Sequence, residues 1–149
     1  MPRRPLICCT LLALAACLAL TATAPAASPR LTIIMPRGMQ RGTEGVLTFS
    51  GSNLGDAEEV FFYSPGFDVT NVEPNGGSVK VTVKIAADCR LGEHVAQVRC
   101  KSGISDYRTF FVEALPAVAE KEPNSDFAAP QQIKLNVTVA GIVQNEDVD

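Results

Sequence analysis

The chain has 149 residues, 46% of them hydrophobic, with 16 acidic and 13 basic side chains, a formal charge of −3, one histidine and no tryptophan. This length holds one ordinary domain, or one small domain and part of another. The basic residues stand singly and form no phosphate-tracking stripe, so nucleic acid is not an expected partner.

Residues 1–26 read as a signal peptide, expected to be helical. Arg3 and Arg4 supply the positive end, residues 6–20 form an apolar run interrupted only by Thr10, and the small residues TATAPAA follow. Cleavage after Ala26 fits the small side chains of Ala24 and Ala26 and leaves about 123 residues. Without Arg3 and Arg4 the balance is 11 basic to 16 acidic, or −5. The expected location is secreted, periplasmic or cell-surface. The apolar run is short for a transmembrane helix, and nothing later is longer, so no stable span is expected. Leu14-Ala15-Ala16-Cys17 resembles the lipoprotein cleavage box, which makes Cys17 a candidate lipidation site and lipid anchor. Against this, the apolar stretch continues past Cys17 to Leu20.

The first strand expected after the leader is 31–35 (LTIIM), ended by Pro36, which has no amide hydrogen for a sheet ladder. Gly38, Gly42 and Gly45 mark tight turns. Strands are then expected at 46–50 (VLTFS), 59–63 (EVFFY) and 67–72, the last two separated by Pro65 and Gly66. Pro74-Asn75-Gly76-Gly77 is a turn. Residues 78–85 alternate, with Val79, Val81, Val83 and Ile85 inward and Lys80 and Lys84 outward. A strand at 93–99 sets His94, Ala96 and Val98 opposite Val95 and Gln97, and 105–112 closes the module. About seven short strands and no amphipathic helix predict an all-β sandwich. From Ala114 the texture shifts to a linker over 114–130, then alternation at 133–139 (IKLNVTV). Residues 131–149 read as an incomplete β segment of a second domain.

Cys89 and Cys100 are the two cysteines beyond the leader. A seven-residue strand between them spans roughly 23 Å. A disulfide needs Cα atoms within about 7 Å. An intrachain bridge therefore requires the chain to fold back; otherwise the two thiols are free or buried.

Residues 31–113 resemble bacterial immunoglobulin-like modules of the IPT/TIG type. The resemblance rests on Ile34-x-Pro36-x-Gly38, Gly42-Thr43-Glu44, residues 47–55 (LTFSGSNLG), Val60-Phe61-Phe62, Ala87-x-x-x-Leu91-Gly92, and Ser102-Gly103 with Ser105. It implies an immunoglobulin-like β-sandwich without the tryptophan and disulfide of antibody domains. Residues 119–149 resemble the opening of a pre-peptidase C-terminal type domain. The matching pieces are residues 120–124 (EKEPN), Ala128-Ala129, Ile133-x-Leu135, Val139-x-Gly141-Ile142 and Asp147-Val148-Asp149. That family continues with an aromatic strand after such a segment, so the expectation here is a fragment or a truncated frame. The pairing looks like that in large exported proteins of planctomycete-type bacteria. The resemblance implies adhesion, spacing, or carbohydrate or protein contact.

Catalytic signals are sparse. His94 lies mid-strand, with Ser102, Ser105 and Asp106 following, but no nucleophile-elbow pattern frames either serine. A packed or rim histidine is the plainer reading. His94 and Cys100 stand six residues apart on one strand, about 20 Å, too far for a direct dyad. Glu122, Asp126, Glu146, Asp147 and Asp149 make an acidic group of the kind calcium favours, without the EF-hand pattern; solvated acids are the plainer reading. The glycines match no dinucleotide or phosphate loop. No catalytic residue, metal or cofactor is expected. In each of the runs Phe61-Phe62-Tyr63 and Phe110-Phe111, alternation sends neighbouring rings to opposite faces, and Phe62 and Phe111 are the candidate contact residues. The expected function is a non-catalytic exported interaction or spacer module contacting protein or carbohydrate. The alternative is an accessory domain of a secreted peptidase or other hydrolase whose catalytic part lies outside this chain.

Overall fold

The computed structural model describes residues 28–124, 126, 128 and 130–141. The leader with Cys17, and residues 142–149 with Glu146, Asp147 and Asp149, lie outside them. The described residues form β1 (Arg30–Met35), β2 (Gly38–Gln40), β3 (Glu44–Ser52), β4 (Ala57–Phe62), β5 (Phe67–Asn75), β6 (Ser78–Ile85), β7 (Gly92–Cys100), β8 (Gly103–Ile104), β9 (Arg108–Glu113), β10 (Ala117–Ala119) and β11 (Thr138–Ala140).

Side-chain alternation decides which way each strand faces. In β6 the residues Val79, Val81, Val83 and Ile85 are buried and Lys80 and Lys84 are exposed, as the sequence predicts. β6 lies inside a four-stranded sheet of order β1-β3-β6-β5, and Leu47 and Phe49 of β3 extend its dry face. The second sheet runs β2-β9-β7-β4, with β8 paired to β7. Val60, Ala96, Val98, Phe110 and Val112 form its buried face. The two dry faces meet in one hydrophobic core, which defines a β-sandwich. Each fully buried aliphatic or aromatic side chain contributes about 1.5–3 kcal/mol.

Proline and glycine place the first sheet crossing. β1 pairs antiparallel with β3 as far as Met35, and Pro36 cannot continue that ladder. The chain then passes to the other sheet, where β2 pairs parallel with β9. Sequence reading assigns Gly38 to a turn, because three residues show no alternation. The structure places it in a strand for a local reason. A Cβ on Gly38 would stand 2.7 Å from Glu113 Oε1 and 3.0 Å from the Phe111 carbonyl oxygen, so the missing side chain makes room for Glu113 to lie over the strand.

Two further expectations are corrected. The closing strand starts at Arg108 rather than at 105, because Ser105 is tied to β7 by its own groups. The expected strand over 133–139 is reduced to Thr138–Ala140. Asn136 adopts φ 63, a left-handed conformation that asparagine tolerates and that breaks an extended run. The segment read as a linker contains β10, which pairs parallel with β11. Gln131 pins the ribbon, accepting from Lys121 N at 2.8 Å and donating to Ala119 O at 3.1 Å.

Candidate functional site

Among the described residues, the outer face of the five-stranded sheet brings together Phe61, Tyr63 and Phe111. Its composition follows from the register. Phe62 lies opposite Ala96, and Phe61 opposite Gln97. Ala96 is buried, so Phe62 turns inward and Phe61 outward. The Phe62 ring stacks on Phe67 at 3.9 Å between centroids and meets Phe49 and Phe110 edge-on. Of the two residues singled out for contact, Phe111 therefore lies on the outer face and Phe62 packs against the core. Phe110 is fully buried, while Phe111 is 39% exposed.

Tyr63, 64% exposed, extends the face beyond β4; its amide donates to Val95 O at 3.0 Å. Its ring meets Phe61 edge-on at 5.5 Å, and its hydroxyl donates to Gln97 Oε1. Gln97 in turn donates to Ser105 O at 2.6 Å. Across β7 and β9, Val95 pairs with Thr109 and Glu93 with Phe111. The face thus presents Phe61, Tyr63, Val95 and Phe111 in adjacent rows. At one end Arg99 binds both Glu58, at 2.7 Å, and Glu59, at 2.8 Å. At the other end stand Glu93 and Glu113. Of the run Phe61-Phe62-Tyr63, sequence reading picks Phe62, and the structure puts Phe61 and Tyr63 on the outer face. Alternation correctly separated neighbouring rings, but only the register to β7 fixes which one faces solvent.

The residues closest to a catalytic pattern sit in the packed sandwich, where His94 Nδ1 is buried without a hydrogen-bond partner. His94 is 1% exposed, its Nε2 lies 2.7 Å from Arg90 O, and its ring meets Phe67 edge-on. The Ser105 hydroxyl accepts from Val98 N at 3.0 Å and donates to Asp106 O at 2.8 Å. Val98 stands four residues along β7 from His94, roughly 13 Å away. Ser105 acts here as an extra rung of the sheet. Replacing it with alanine strands the buried Val98 amide, with an expected loss of about 1–3 kcal/mol in urea unfolding. A loss below about 0.5 kcal/mol would show that Val98 N finds another acceptor.

Cys89 and Cys100 are free, buried thiols. Burial, then the Asp56 carboxylate, pushes the Cys100 thiol up to about 11, and burial, then Asp88, raises Cys89. Both are protonated at pH 8 and shielded from reagent. A disulfide-exchange reagent at pH 8 is expected to label neither until denaturant is added. Folded Cys100 keeps its proton to higher pH than an unfolded thiol, whose ordinary value is 9.0. Its contribution to stability is therefore intact below pH 9 and is lost as pH rises toward 11. The loss should shrink in Cys100→Ala.

Of the acidic group, the described members make local bonds: Glu122 accepts from Asn124 N at 3.0 Å and Asp126 from Ala128 N at 2.9 Å. Among the described residues no group of three or more histidine, cysteine, aspartate or glutamate side chains could hold a metal. Nor is any described helix long and apolar enough to cross a membrane. A cleft of about 490 Å³ separates β2 and the start of β3 from the β10–β11 ribbon. Among the described residues its lining, which includes Met35, Met39, Val46, Pro116 and Ala117, is mostly apolar.

No family model matches the chain, and no curated protein matches it.

Proposed function

We propose that this chain is an exported, non-catalytic, immunoglobulin-like interaction or spacer module that contacts protein or carbohydrate at the cell surface. The observation that carries the reading is the aromatic outer face of Phe61, Tyr63 and Phe111, beside a core in which His94 and Ser105 are committed to structural bonds. The immunoglobulin-like assignment draws support from the strand order. In that fold one sheet pairs the first, second, fifth and fourth strands, and the other the third, sixth and seventh. The orders β1-β3-β6-β5 and β9-β7-β4 correspond, with β2 as a short second piece of the first strand. Export draws support from the leader-like residues 1–26.

The accessory-domain reading is favoured by one feature. Ile133, Leu135 and Val139 are exposed around the β10–β11 ribbon, Leu135 at 93%, which suits packing against further chain.

The test is a binding screen of the full chain on protein and glycan arrays beside Phe61→Ala/Tyr63→Ala. Ligands retained by the native chain and lost by the double variant, at equal thermal stability, are the expected result. Identical binding by both would remove the face from the function. Turnover of ester, peptide or glycoside substrates by the native chain would overturn the non-catalytic reading.

A further inference from the structure

We propose that the outer face of the five-stranded sheet takes a cationic protein segment, with a partner lysine or arginine seated on Phe111 between Glu93 and Glu113. This rests on the contact-face reading above and names the occupant.

The charge pattern of the face carries the argument. Four carboxylates border the aromatic strip, Glu58 and Glu59 at one end and Glu93 and Glu113 at the other; Arg99 stands beside the first two, and Arg37 and Arg41 flank β2, bonded through their backbones to Phe111 and Glu113. Arg99 engages only the first pair. Arg90 lies near the second pair, but its guanidinium donates to the backbone carbonyls of Leu91 and Glu93, at 3.2 and 2.5 Å, and not to a carboxylate. Among the described residues neither Glu93 nor Glu113 forms an ion pair, and Glu113 Oε2 is buried without a hydrogen-bond donor. A buried carboxylate oxygen without a donor is costly, and the exposed Glu93 carboxylate is the acceptor that an incoming ammonium or guanidinium meets directly.

The geometry brings the three residues together. Glu93 is the cross-strand partner of Phe111, and such pairs hold their Cβ atoms about 4.5–5.5 Å apart. Glu113 follows Phe111 by two residues and shares its face. Gly38, opposite Phe111 on β2, leaves room for the Glu113 carboxylate to lie beside that ring. A cation over an aromatic face, within about 6 Å of the centroid, gains from the ring quadrupole, and the flanking carboxylates add direct charge. Toward β4 the surface becomes apolar through Val95, Tyr63 and Phe61, so a matching segment carries apolar side chains beside its cation. A second copy of this acidic chain would meet like charge.

The test is calorimetric titration of the full chain with a ten-residue peptide of alternating lysine and leucine, beside its glutamate–leucine counterpart and a neutral hexasaccharide. The expected result is binding of the lysine peptide alone, weakened at least tenfold by Glu93→Gln/Glu113→Gln and by Phe111→Ala. Glu44→Gln/Glu73→Gln makes the same charge change on the other sheet and is expected to alter affinity less than twofold. Melting temperatures check that every variant folds. Equal weakening by both glutamine pairs would reduce the effect to net charge and overturn the proposal. Binding of the hexasaccharide alone, lost in Phe61→Ala/Tyr63→Ala, would overturn the cationic occupant and leave the contact face standing. Unchanged lysine-peptide binding in every face variant would overturn both.

Discussion

Replacing Phe110 with alanine is expected to cost about 3–5 kcal/mol and to leave little of the native state at 37 °C. Phe110 is fully buried in β9 and joins the two sheets through other rings. Its centroid lies 6.0 Å from Phe62 and 6.3 Å from Phe67, both edge-on, and Phe67 in turn meets His94 at 4.9 Å. Removing the ring forfeits its burial and opens a cavity among groups that cannot collapse, because each is held on a paired strand. Phe111→Ala removes the same ring one residue away from a half-exposed position and should cost under about 1 kcal/mol. Urea unfolding of the two variants reads the contrast. Equal losses would mean that the face of β9 has been assigned the wrong way round.

The second large effect comes from backbone rather than side chain. A Cβ on Gly51 would stand 1.8 Å from the Arg30 carbonyl oxygen, which no rotamer relieves because the obstruction is main chain. Gly51 pairs with Leu31, and its amide donates to Gly77 O at 2.8 Å, so the residue is held on both sides. Gly51→Ala must push β1 outward, and buried Leu31 and Ile34 move with it. The expected result is a loss of about 3 kcal/mol or more, the upper end for overpacking, with early exchange of the β1 amides. Gly55→Ala is the control, since its Cβ would meet nothing closer than 3.5 Å. A mild effect at both positions would show that β1 is weakly attached.

Much of the sandwich is legible in the residues, and the failures share a cause. Period-two alternation locates β6 with its inward set, and separates the two faces of β7, because those strands lie inside their sheets with one wet face. It misses β2 and β8, which have three and two residues and exist through partners far away in sequence. It overreaches at 133–139, where Asn136 turns the backbone. The aromatic outer face is half legible. Phe111 is outward by simple alternation, but whether Phe61 or Phe62 faces out depends on pairing with β7, and a one-residue shift in register exchanges them. The isolation of Glu93 and Glu113 is a tertiary fact, set by where the Arg90 and Arg99 guanidinium groups reach.

The most direct test of the account is an amide chemical-shift map of the full chain titrated with whichever ligand the arrays retain. The contact-face account predicts shifts concentrated on 59–63, 93–99 and 109–113, with the opposite sheet unchanged. Shifts confined to β1, β3, β6 and β5, or to the loops at 64–66 and 86–91, would contradict it.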